Sequence, residues 1–205
     1  SKQLRIWLFV LLGTLLTSTS LLSEGVITMT TSKAVGETIH LRIKANGNVT
    51  IDGVKESAQT IWYAKIYTLT SQTVTIRGDV TSLSCKQEQL TSLDVSDCTA
   101  LTELECSNNQ LTSLDVSGCT ALTTLECDNT RLMTSLDVSG CTALTTLECD
   151  NNRLTSLDVS GCTALTKLSC KINQLTSLDV SKNSALTTLD CGWNQLTSLD
   201  VSKNS

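Results

Sequence analysis

The stretch LTELECSNNQLTSLDVSGC, residues 101–119, decides how this chain folds, and it returns almost unchanged as LTTLECDNNRLTSLDVSGC at 144–162. Aligned on the second leucine of LTSLDV, the unit recurs at Leu93, Leu114, Leu136, Leu157, Leu178 and Leu199, in steps of 21, 22, 21, 21 and 21 residues. A coil that short cannot bury its own apolar side, so a period near 21 predicts a solenoid in which each coil is stabilised by its neighbours. Within a unit, apolar residues separated by one polar residue give a short strand with its apolar side inward. Such strands from successive coils stack about 4.8 Å apart into a parallel sheet.

Residues 101–111 fit the leucine-rich-repeat pattern L-x-x-L-x-L-x-x-N-x-L, with Cys106 in place of the third leucine. The second half of the unit, residues 111–119, repeats the same idea, so each coil carries two related half-turns. Asn109, Asn152, Asn173 and Asn194 form a column of inward amides expected to satisfy backbone groups where the strand ladder stops. Glu88 and Thr130 interrupt that column, and the one long step reads as an insertion at Met133 with a local bulge. The units LTTLECDNNR and LTSLDVS, over residues 80–205, resemble the repeats of internalin J-like bacterial surface leucine-rich-repeat proteins and of similar proteins in the Bacteroidetes. The resemblance implies an extracellular, non-enzymatic protein used for adhesion or interaction.

The rest of the chain fits that frame. Lys2 and Arg5, the apolar run at 6–16 and the small polar stretch at 17–20 read as a secretory signal peptide over residues 1–23, with no integral span expected after cleavage. Residues 26–79 alternate with period two, as in TIHLRIKA (38–45), and predict a small β-rich N-terminal cap. Trp62, Tyr63 and Tyr67 are expected to close its core, and His40 to lie solvated on a strand's polar side. From residue 80 to 205 about six coils are expected, truncated at VSKNS. The predicted fold is therefore a leucine-rich-repeat solenoid of parallel β coils, with short non-helical or 3-10 convex segments and a β-rich cap.

Ten cysteines need a role. Cys85, Cys106, Cys127, Cys149, Cys170 and Cys191 replace a leucine and are expected to act as small buried hydrophobes. Cys98, Cys119, Cys141 and Cys162 form a second column in which Asn183 follows, so that position wants a small group able to hydrogen-bond. Neighbouring thiols one rung apart stand somewhat farther than the roughly 3.5–4.5 Å between Cβ atoms that a disulfide prefers, although export favours oxidation. No C-x-x-C spacing suggests zinc, and a lone histidine offers no base for a catalytic cysteine. No cofactor or metal is expected. Asp94, Asp115, Asp137, Asp158, Asp179 and Asp200 stack on the other half-turn, without the D-x-D-x-D-G loop of a calcium site.

The formal charge of −5 and the absence of a basic stripe exclude nucleic acid as a natural partner. Functional signal is confined to outward strand positions. There, an acidic block of Glu103, Glu105, Glu126, Asp128, Glu148 and Asp150 gives way to Lys167 and Lys171. On the adjoining turn a polar column ends in Ile172 and Trp193, an apolar pair suited to a binding hot spot. The sequence thus predicts a secreted or surface-displayed module that binds a protein or glycosylated ligand. Self-association through an uncapped last coil, for surface cohesion, and a fragment of a larger enzyme are the alternatives.

Overall fold

The computed structural model describes residues 25–61 and 64–204; the expected signal peptide, Trp62 and Tyr63 lie outside them. Six strands come first: β1 (Val26–Thr31), β2 (Thr38–Ala45), β3 (Thr50–Asp52), β4 (Val54–Ile61), β5 (Ala64–Leu69) and β6 (Thr73–Arg77). Alternation in β2 buries Ile39 and Leu41 while Lys44 faces solvent, as the period-two pattern requires. Ile27, Met29, Tyr67, Leu69, Val74 and Ile76 complete the interior of this unit.

The coils follow. β7 (Val80–Ser84), β9 (Glu103–Glu105), β11 (Thr124–Glu126), β13 (Thr146–Glu148), β14 (Lys167–Ser169) and β15 (Thr188–Asp190) stack in parallel. Their register aligns Leu83, Leu104, Leu125, Leu147, Leu168 and Leu189 in one column. The other half-turn contributes β8 (Leu90–Asp94), β10 (Ser113–Asp115) and β12 (Ser135–Asp137). Among the described residues there is no helix, and the convex connection is a tight turn repeated coil by coil, as where Cys98 N donates to Val95 O at 3.0 Å and Leu101 N to Cys98 O at 3.1 Å.

No seam separates the N-terminal unit from the coils. β2 pairs antiparallel with β7 and β1 antiparallel with β8, so both sheets of the first unit run on into the solenoid. The nine-stranded sheet has the order β15-β14-β13-β11-β9-β7-β2-β5-β4, and the four-stranded one β3-β6-β1-β8. The first rung's edge is thereby occupied, which removes an exposed strand edge and covers Leu83, Cys85 and Leu90 completely.

The insertion falls elsewhere than the sequence reading placed it. Met133 is fully buried in the leucine column, and its carbonyl accepts from Arg153 N at 2.8 Å in the bond that Leu154 and Leu175 make to Gln174 and Gln195. Leu132 is the extruded residue, 41% exposed, and Arg131 before it takes φ 58°. Met is long and unbranched enough to fill a leucine slot, so extruding Leu132 keeps β12 in step with β10, Leu136 opposite Leu114.

Candidate binding face

Three internal ladders hold the outward residues in place. In the first, Asn109 accepts from Glu88 N (3.1 Å) and Leu90 N (2.9 Å) and donates to Cys85 O (3.0 Å) and Cys106 O (2.8 Å). Asn152, Asn173 and Asn194 repeat the donor pattern in later coils, so the amides satisfy the backbone as the sequence predicts. Thr130 joins rather than breaks the column, since its hydroxyl donates to Asn152 Oδ1 at 2.5 Å. Glu88, in the first coil, is buried with its carboxylate ion-paired to Lys33 and hydrogen-bonded to His40 Nδ1 at 3.1 Å. His40 is therefore not simply solvated: β2 packs beside the first rung and gives the imidazole a buried carboxylate.

The second ladder is the Asp column, in which each Oδ1 accepts the amide of the serine two residues on, from Ser96 on Asp94 (3.0 Å) to Ser202 on Asp200 (2.8 Å). Asp158, Asp179 and Asp200 are held below the ordinary carboxylate range by these serine hydrogen bonds. The third ladder is cysteine. All ten are free thiols, and in the second column Cys119, Cys141 and Cys162 donate to the carbonyls of Val95, Val116 and Val138 at 3.3, 3.1 and 3.4 Å. Asn183 Nδ2 makes the same bond to Val159 O at 2.9 Å, which is why Cys and Asn exchange there. The glycine before each of these cysteines in the middle coils is forced by close stacking: a Cβ on Gly140 would lie 1.8 Å from Ser117 O.

On the sheet's solvent side the acidic block is not a bare field. Register places Arg42 opposite Ser84 and Lys44 opposite Ser82, so β2 carries two cations onto the face. Arg42 reaches Glu105 at 2.8 Å and Lys44 reaches Glu103 at 3.7 Å; Lys86 bridges Glu105 (3.4 Å) and Glu126 (2.7 Å). Further along, Lys167 holds Glu148 at 2.5 Å, and Lys171 sits between Asp150 (3.5 Å) and Asp190 (3.4 Å). Burial would raise the Glu105 carboxyl, but the Ser84 hydroxyl, Lys86 and Arg42 hold it below its usual value. Among the described residues Asp128 alone of the block makes no ion pair. Burial pushes its carboxyl up, the Asp150 amide pulls it back, and the charges of Asp150, Glu148 and Glu126 push it further up.

Beside the face runs a turn ridge of residues in the left-handed region: Gln87, Asn108, Asn129, Asn151, Ile172 and Trp193, with φ between 52° and 64°. Asparagine tolerates that conformation, whereas β-branched isoleucine is strained in it. Ile172 is nevertheless 45% exposed and Trp193 84% exposed. The structure places this pair and the acids on the outward side, together with Arg42, Lys44 and Lys86, which sequence reasoning missed. Lys86 shares the 21-residue column of Asp128, Asp150 and Lys171 and was legible; Arg42 and Lys44 needed the strand order.

A family model for leucine-rich repeats, in two copies, matches residues 99–140. The matched segment is a leucine-rich-repeat stretch of the solenoid. The chain is similar to the functional domain of InlJ from Listeria monocytogenes, described as including a cysteine ladder, with 29% identity over 66% of this chain and 45% of that one and a TM-score of 0.45. It is also similar to the leucine-rich-repeat protein LIC12759 of Leptospira interrogans, at 19% identity over 58% of this chain and 38% of that one, TM-score 0.40. A third likeness is to the internalin InlF of Listeria monocytogenes, at 18% over 58% and 49%, TM-score 0.30. The chain spans less than half the length of each of these structures. No curated protein matches it.

Proposed function

We propose that the solenoid is a protein-binding module displayed outside a bacterial cell, reading its ligand with the solvent side of the nine-stranded sheet and the adjoining turn ridge. Leucine-rich-repeat solenoids generally serve protein–protein interaction, because a stack of short coils offers a long, regular surface. One observation carries the reading: the ridge column changes from asparagine to Ile172 and Trp193, which are strained and exposed where polar residues would cost less. Backbone strain retained at an exposed position signals a use for it, and a solvent-facing Trp beside an aliphatic neighbour is what a hot spot needs. The ion-paired face supplies register rather than raw attraction, since each salt bridge must be exchanged rather than created on binding.

The test is a mismatch between stability and binding. Ile172→Asn restores the residue type of the preceding coils and should stabilise the fold by about 1 kcal/mol, within the cost of one strained backbone position. The same change, and Trp193→Ala, should weaken adhesion of the labelled protein to bacterial or host cells, read by flow cytometry. Asp137→Asn and Asp158→Asn keep the serine cap on the opposite half-turn and should leave adhesion intact. If adhesion survives both ridge changes and is lost with the Asp changes, the binding face is the other one.

A further inference from the structure

Among the described residues two guanidinium groups have no partner. The cations beside the acidic block are each engaged with a carboxylate, whereas Arg131 and Arg153 are exposed and make no side-chain hydrogen bond or ion pair among the described residues. They occupy the column that holds Gln89, Gln110, Gln174 and Gln195 in the other coils. A solitary solvated arginine would mean nothing. Here the two stand on successive rungs, at the coil that carries the extra residue.

The bulge brings an apolar group between them. Arg153 N donates to Met133 O at 2.8 Å, so Arg153 lies directly beside the extruded Leu132, and Asn151 Nδ2 donates to Asn129 Oδ1 at 2.6 Å, tying the two turns together. In solenoids, an insertion in one repeat maps to a loop on one face, often the one that binds. Arginine is the side chain whose planar fork takes a carboxylate through two parallel bonds.

We propose that Arg131, Leu132 and Arg153 form a docking patch for an acidic segment of a partner protein, one that presents a carboxylate next to an apolar side chain. The proposal rests on the protein-binding reading above. A phosphate or sulfate polymer would satisfy the guanidinium pair but leave Leu132 in water, so the exposed leucine favours a peptide.

The patch can be tested without the natural ligand, so that its failure is separable from failure of the adhesion reading. The probe is a labelled peptide with a Glu-Leu-Glu-Leu centre, followed by fluorescence anisotropy at low salt, with a Gln-Leu-Gln-Leu peptide and inorganic polyphosphate as comparisons. The acidic peptide should bind saturably. Replacing its Glu by Gln, or making the double change Arg131→Gln and Arg153→Gln, should weaken binding about tenfold or more. Glutamine already fills that column elsewhere, so the fold should be unaffected. Deleting Leu132 restores the even 21-residue step and should weaken binding severalfold without lowering the melting temperature. Asp158→Asn, on the opposite half-turn, should leave peptide binding unchanged. Absence of saturable binding, indifference to the arginine changes, loss with Asp158→Asn, or polyphosphate binding that matches the peptide and ignores Leu132 would each overturn the patch.

Discussion

The two cysteine columns use one side chain for two purposes. In the strand column, Cys106 and Cys127 are fully buried where a leucine-rich repeat expects leucine and serve as small apolar filling, while Cys85 and Cys149, equally buried, also reach Glu105 O and Ser169 O of the next coil at 3.7 and 3.5 Å. In the turn column, Cys119, Cys141 and Cys162 are equally buried but each sulfur points its hydrogen at a valine carbonyl of the preceding coil. The chain's own substitutions separate the cases: the turn column passes to Asn183 and Asn204, whose amides reach Val159 O and Val180 O at 2.9 Å. Identical burial therefore does not mean an identical requirement: the strand position is filled for volume, with a sulfur bond in only some coils, whereas the turn position accepts asparagine in place of cysteine and keeps a donor.

The largest expected effect is shared by both columns and sets the scale for their difference. Burial, the leading cause throughout, pushes Cys106, Cys119, Cys141 and Cys170 up to about 12, Cys98 and Cys162 to about 11, and Cys85, Cys127 and Cys149 well above the ordinary thiol. An unfolded thiol titrates near 8.5. Above that pH the unfolded chain holds fewer protons than the native one, so stability, complete below about pH 8.5, falls as pH rises toward the folded values. Each thiol contributes a loss of about 1.4 kcal/mol per pH unit, and a domain has only about 5–15 kcal/mol in all. Urea midpoints under reducing conditions should hold from pH 7 to 8 and collapse by about pH 10. Exchanging the four turn-column cysteines for Asn should move that collapse upward by about half a pH unit. A stability that stays flat through pH 10 would break the burial account for both columns.

Next in size is the direct exchange. Cys127→Asn puts an amide in a leucine slot with no carbonyl assigned to it and should cost about 3 kcal/mol or more. Cys141→Asn should cost within about 1 kcal/mol, because Asn183 already shows the bonds the amide would make, to Val159 O and to Cys162 O at 2.8 Å. Valine should reverse the order: tolerated at Cys127, but at Cys141 removing one of the two donors to the Val116 carbonyl, which then keeps only Cys119 N at 2.8 Å. Equal costs in chemical denaturation would show that the columns are interchangeable.

This contrast was legible in the sequence because a repeat supplies its own comparison set. Asparagine exchanging with cysteine defines the turn column within the chain, whereas the strand column is cysteine in all six coils and is placed by the L-x-x-L-x-L pattern; column reading likewise found the Asn and Asp ladders. Period-two alternation likewise located β2, β3, β5 and β6. What the sequence could not supply was pairing between unrelated segments. That β2 lies antiparallel along β7 decides that Arg42 and Lys44 neutralise part of the acidic block and that His40 meets Glu88, and no local pattern encodes strand order. The insertion was misplaced for a simpler reason: Leu132 and Met133 are both apolar, and only packing chooses which stays in.

The smallest expected difference concerns motion. Cys191, on the last described rung, is the one cysteine that is not fully enclosed, and burial followed by the Asp190 charge raises it only modestly. Alkylation of the native protein at pH 8, followed by mass spectrometry, should therefore modify Cys191 first. The other nine should react only through opening of the fold. If strands and turns of one coil open as a single cooperative unit, both columns share one rate, and that rate rises with denaturant as global unfolding does. The turn column has a route the strand column lacks, since its thiols sit under short connections such as the Cys119 to Leu122 turn, closed by one bond at 3.0 Å. Yet each turn is also tied to the preceding coil through the very S–H bond that defines the column, so the expected outcome is a single rate within severalfold. A turn column labelled much faster than Cys106, Cys127 and Cys149 would mean that those sulfur bonds do not hold the convex side closed, and that the turn cysteines are present for volume alone.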